Sequence, residues 1–198
     1  MAIPETVLIL AGGTAVLSIL FGIRLAMRAN KGVAAVAPRS DGGEAADVAG
    51  VIALPPLIFL GFLAAATVLE AVVPLPVLAA QALARYLVGT ALTACGFVMI
   101  GMGMRCFLAA GTNIPPNLPT TALVVEGIYG RTRNPLYLGT TLVYLGLSVA
   151  AGSLWAIVLV VPLLWVINVG VVAREERYLE RKFGDAYRAY KTHVRRWV

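Results

Sequence analysis

Residues 134–173 read N-P-L-Y-L-G-T-T-L-V-Y-L-G-L-S-V-A-A-G-S-L-W-A-I-V-L-V-V-P-L-L-W-V-I-N-V-G-V-V-A, a run of 40 residues without a charge. One helix of that length would measure about 60 Å, twice the roughly 30 Å of a bilayer's hydrocarbon core. The run must therefore turn back, and Ala151-Gly152-Ser153 near its middle predicts where. Outward from this hairpin lie three more uncharged runs. They fall between Glu5 and Arg24, from Val48 to Thr67 and on to Glu70, and between Arg85 and Arg105. The reading is an all-α, polytopic membrane protein of five transmembrane helices. Pro74 and Pro76 stand between spans two and three, where a turn is needed. Pro55 and Pro56 kink span two or fix its first turn, and Pro162 is expected to bend span five.

Composition agrees with lipid as the solvent. Of 198 residues, 60% are hydrophobic and 13% charged, against roughly 25% charged in a soluble domain. Of the 16 Lys and Arg residues, 15 fall in the 24–48 loop, the 105–135 loop and the tail from Arg174. Such loops face the cytoplasm, which predicts an N-terminus outside and a cytoplasmic C-terminus, with a cell's inner membrane as the location. Arg85 is the exception and is expected to snorkel to the outer interface; Glu70 is expected there too. Because the net charge of +6 follows membrane sidedness, nucleic acid is not an expected partner. Two cysteines and one histidine make neither a disulfide framework nor a metal site. The first apolar run is expected to be a retained span rather than a leader. In the tail, Leu179, Phe183, Tyr187, Tyr190 and Val194 draw an apolar stripe along one amphipathic cytoplasmic C-terminal helix. The loop at 29–48 is the segment most prone to disorder.

Two stretches on the basic side are richer than connectors require. From Gly111 to Gly139, Pro115, Pro116 and Pro119 forbid a continuous helix, and Asn134-Pro135 reads as the cap and first position of span four. The plain reading is helix-start chemistry. Arg131 and Arg133 beside that N-terminus add a preference for anions, and Gly127 and Gly139 permit close backbone approach. The second stretch, Val172 to Tyr190, reads plainly as a solvated charged helix. Glu175 and Glu176, however, follow the apolar run directly, and Asn168, seven residues before Glu175, shares nearly one helical face with it. A polar side chain inside a span points to the bundle interior or a wet cavity.

At these stretches the chain resembles the isoprenylcysteine carboxyl methyltransferase family, which is related to the membrane phospholipid N-methyltransferases. The matching residues are Gly127, Tyr129, Arg133, Asn134, Pro135, Tyr137 and Gly139, then Glu175, Glu176 and Leu179, then Phe183, Gly184, Tyr187 and Tyr190. The similarity covers roughly residues 111–196, and Asn134 stands where many members carry histidine. The resemblance implies S-adenosylmethionine as cofactor, held by Arg133, Asn134, Pro135, Leu136, Tyr137 and Leu138 largely through backbone contacts. Glu175 or Glu176 would take its amino group. Arg133, Glu176 and Tyr137 are the implied catalytic residues, and Tyr137 or Tyr129 would face the cationic sulfur. The expected organisation is a three-span region at 1–110 and a catalytic half at 111–198. The expected activity is methyl transfer to a lipophilic acceptor arriving from membrane lipid, with a carboxylate as in isoprenylcysteine carboxyl methylation or a phospholipid amine. Two other readings compete: an NADPH-dependent sterol-like reductase using Arg131 and Arg133 for phosphate, and a non-catalytic scaffold or transporter.

Overall fold

The computed structural model describes residues 5–14, 17, 47–78 and 80–198, and these form helices and no strands. In chain order they are α1 (Glu5–Thr14), α2 (Pro55–Val72), α3 (Ala82–Ala109), a 3₁₀ turn (Gly127–Gly130), α4 (Pro135–Ala151), α5 (Leu154–Ile167), a π turn (Asn168–Val172), α6 (Ala173–Phe183) and α7 (Asp185–His193). Most of the remainder of the first predicted span, and the predicted disorder-prone loop up to residue 46, lie outside the described residues. Three described helices are long and apolar enough to cross a membrane: α2, α3 and the continuous run Leu154–Phe183. Helices α1 and α4 are apolar but shorter. Leu57, Val68, Leu83, Leu87, Val98, Val158, Val161 and Trp165 point outward. An outward apolar face on buried-length helices is what lipid solvates.

The predicted hairpin turn is present and has a clear local cause. Gly152 ends α4 in the left-handed conformation at φ 70°, which only glycine adopts cheaply. Ser153 then caps α5, its Oγ accepting from the Ala156 N–H at 3.2 Å. The same hydroxyl donates to Glu70 Oε2 at 2.8 Å. Glu70 is thus 3% exposed, because the helix start supplies its donor. Arg85 is buried as well. Its Nη1 donates to the Ala151 carbonyl at 3.3 Å and lies over Gly152, where a methyl group would stand 1.8 Å away. Ser153→Ala should remove both the cap and Glu70's donor and cost about 1–3 kcal/mol. Thermal unfolding in detergent would measure this, and an unshifted midpoint would contradict the role.

Helices α3 and α4 pack antiparallel through glycines spaced by seven. Gly89 faces Gly146, and Gly96 faces Gly139. A methyl on Gly96 would sit 2.5 Å from the Gly139 carbonyl oxygen, and one on Gly139 would sit 2.8 Å from the Gly96 carbonyl oxygen. In lipid no hydrophobic drive pushes helices together, so close backbone approach through small residues supplies the contact. The approach that Gly139 permits is therefore to a helix. Gly127 needs its freedom for a turn at φ 61°.

Pro55 starts α2, so the residues before it, including Val48, are not helical. That segment instead crosses the end of the bundle. The Ala49 N–H donates to the Pro116 carbonyl at 3.2 Å, and the Ile52 N–H to the Gly170 carbonyl at 3.3 Å. The tail is two helices rather than one, because Gly184 at φ 52° breaks the run. Val194, the last residue of the predicted stripe, is extended at φ −120°.

Candidate functional site

Both polar stretches converge at the end of the bundle that carries the C-terminus. They enclose a narrow, open-mouthed cleft whose cavity measures about 100 Å³. One wall is the proline loop, including Asn113, Pro115, Pro116 and Thr120, with Ala49 beside it. The loop is tied by Thr112 Oγ1, which accepts from the Thr121 N–H at 2.8 Å, and by Asn113 Nδ2, which donates to the Pro119 carbonyl at 2.8 Å. The opposite wall is the start of α4 with α6 and α7, namely Arg133, Asn134, Leu136, Tyr137, Glu175, Glu176, Tyr187 and Tyr190. Of the residues expected to hold a ligand, Pro135 and Leu138 do not line the cleft. Pro135 is fully buried beside Gly103, and Leu138 lines a separate groove with Trp165, Asn168 and Trp197.

Asn134 occupies the cap position of α4 with Pro135 next, but its side chain makes no cap bond. Its Nδ2 donates to the Arg196 carbonyl at 2.9 Å. Arg131 is exposed. Arg133 donates through Nη2 to Glu176 Oε1 at 2.9 Å. The anion expected at this helix N-terminus is thus partly the protein's own carboxylate. Arg196 completes the group, with Nη2 2.6 Å from Glu176 Oε2 and Nε 3.1 Å from Oε1.

The two glutamates have separate environments. Glu176 is 7% exposed and has both oxygens occupied by guanidinium groups. Glu175 accepts one hydrogen bond, from Tyr137 Oη at 2.5 Å, and its Oε2 has no partner among the described residues. The π turn explains the division. It inserts about one residue, so a separation of eight across it acts like seven in an α-helix. Asn168 therefore aligns with Glu176 instead of Glu175: Arg196 bridges them, Nη1 donating to Asn168 Oδ1 at 3.1 Å. Glu175 is turned toward Tyr137 and the cleft.

Aromatic side chains fill the rest of the lining. Tyr129 stands edge-on to Phe107, 5.4 Å between centroids, and its backbone carbonyl accepts from Tyr190 Oη at 2.7 Å. Burial, then the negative field of Glu175, pushes the Tyr129 phenol well above its ordinary range. Burial pushes Tyr190 up to about 12. These phenols stay neutral donors at physiological pH. Sequence reasoning missed Tyr178 and Arg196. Tyr178 accepts from the Thr120 N–H at 3.0 Å and donates to Asp47 Oδ1 at 3.0 Å, pinning both covering segments. Its position three residues after Glu175 on one helix was the available signal. Arg196 gave none beyond a basic chain end.

The fold and the cleft define an integral membrane protein whose polar site is built by the proline loop, the start of α4 and the helices α6 and α7. The phospholipid methyltransferase family is matched over residues 84–186, more than half of the chain. This protein belongs to that family. The match begins within α3, upstream of the stretches that carry the resemblance in the sequence. A 63-residue segment is 46% identical to an uncharacterized protein of Haemophilus influenzae, covering 32% of this chain and 100% of that one. A 109-residue segment is 29% identical to the protein-S-isoprenylcysteine O-methyltransferase of Schizosaccharomyces pombe, covering 52% of this chain and 46% of that enzyme. The chain thus spans less than half the length of the second relative. No solved structure matches it.

Proposed function

We propose that this protein transfers a methyl group from S-adenosylmethionine to a lipophilic acceptor at the cytoplasmic face of the membrane. The observation that carries the reading is the Glu175 carboxylate, with one oxygen fixed by Tyr137 and the other without a described partner in a cleft bordered by family-matched segments. That oxygen suits an ammonium such as the cofactor's amino group. Arg133 Nε, buried without a partner, is a donor suited to a carboxylate of the same ligand. Arg133, Asn134, Leu136, Tyr137 and Glu175 would hold the cofactor. Glu176 is reserved as the counter-ion of Arg133 and Arg196. When bound, the cofactor supplies a methyl whose bonding pair leaves with sulfur as the acceptor's lone pair takes the carbon. The protein's own work is alignment, which recovers roughly 7–11 kcal/mol when reactants are well oriented. With Glu175 counted beside Glu176, the charges of Arg133 and Arg196 are balanced, and the acceptor is a lipophilic carboxylate, as in isoprenylcysteine carboxyl methylation, or a phospholipid amine.

The same reading takes residues 1–110 as a three-span region and 111–198 as the catalytic half. Its topology is five spans with the N-terminus outside, in a cell's inner membrane, and acceptors arriving from membrane lipid. Calorimetry with S-adenosylhomocysteine in lipid nanodiscs tests it. Wild type should bind, and Glu175→Gln should weaken binding about tenfold, as loss of a charge-assisted contact does. No binding by wild type, or an absorbance change with NADPH and lipid extract, would overturn it.

A further inference from the structure

Beyond α7 the chain turns extended at Val194 and runs back beneath the start of α4. The Lys191 and Val194 carbonyls accept from Arg133 Nη1 at 3.2 and 3.1 Å. The Arg195 carbonyl accepts from the Arg133 N–H at 3.0 Å. The Arg196 carbonyl accepts from Asn134 Nδ2 at 2.9 Å and Thr132 Oγ1 at 3.3 Å. Glu176 aside, every described side-chain partner of Arg133 and Asn134 is therefore a carbonyl between residues 191 and 196. Two anchors hold this strap in place. Trp197 packs against the apolar core. The Arg196 guanidinium uses all three nitrogens, two on Glu176 and one on Asn168.

We propose that Arg196 is a positioning residue for the methyl-donor site. It does not line the cleft. By closing the strap onto Glu176 and Asn168, it fixes where Arg133 and Asn134 stand on the cleft wall. A planar fork suits this task because it grips both carboxylate oxygens at once, whereas an ammonium makes a point contact. Without Arg196, Glu176 keeps Arg133 alone, and the carbonyls that orient Arg133 lose their charged anchor. The proposal rests on the methyl-donor reading of the same cleft.

The test is S-adenosylhomocysteine binding by calorimetry in nanodiscs, with a thermal melt of every variant. Arg196→Gln should weaken binding about tenfold while folded, and Arg196→Lys should recover part of the loss, ending about threefold weaker than wild type. Because Arg196 acts through Glu176, the Glu176→Gln/Arg196→Gln pair should bind little worse than the weaker single variant. Wild-type affinity in both Arg196 variants, or simple additivity in the double variant, would overturn the positioning role. If Arg196→Gln does not fold, wild-type affinity in Arg196→Lys is enough to overturn it. Absent binding by wild type would instead defeat the methyl-donor reading itself.

Discussion

Glu176→Ala is expected to destabilise the protein by about 3–5 kcal/mol, the usual cost of removing one partner from a buried ion pair. Glu176 is the shared counter-ion of Arg133 and Arg196. Its loss leaves two like charges facing each other. Arg196, with a side chain 35% exposed, can turn toward water, but Arg133, at 10%, cannot. Most of the cost therefore comes from Arg133. Glu176→Gln keeps the shape and an acceptor oxygen and should lose clearly less. Chemical or thermal unfolding in detergent would rank the two variants. An alanine variant as stable as wild type would mean that the triad is solvated and contributes nothing to the fold.

Gly96→Ala and Gly101→Ala are expected to move stability in opposite directions, although the substitution is the same and both sites lie on α3. At Gly96 the new methyl meets the Gly139 carbonyl oxygen at 2.5 Å and the Val143 N at 2.9 Å, both backbone atoms of α4. Backbone cannot rotate away, so the helices must separate, at about 1–3 kcal/mol or more. Nothing lies within 4 Å at Gly101, and alanine there should stabilise by up to about 1 kcal/mol through helix propensity. Because α4 begins at the cleft, Gly96→Ala should also weaken S-adenosylhomocysteine binding, and Gly101→Ala should not. Equal effects from the two substitutions would show that the close packing of α3 on α4 carries no energy.

The hairpin shows how far local chemistry reads through. An uncharged run too long for one crossing, with Gly152 and Ser153 at its centre, leaves the chain one economical place to turn. Asn168 shows where periodicity stops being enough. Counting 3.6 residues per turn pairs it with Glu175, but one wide turn passes the partnership to Glu176. Glu70 and Arg85 are a similar case. Each reads as an interfacial charge by its distance from the ends of an apolar run, and each is buried because the α4–α5 turn offers a hydroxyl and a carbonyl. No pattern within either residue's own segment encodes that offer.

By itself, the order of residues determined the helical class, the need for lipid, the turn at 151–153 and the two polar stretches with the family likeness they carry. Each depends on composition, length or neighbours within a few positions, which are physical properties of a local segment. Only the tertiary structure decided that Glu175 keeps an oxygen for the cleft while Glu176 is neutralised, that glycines seven apart lock α3 to α4, and that the chain's last residues brace Arg133. Those outcomes depend on which distant groups meet where water is scarce. There an unmatched charge or a misplaced methyl costs several kcal/mol, and the partner that relieves it lies tens of residues away along the chain.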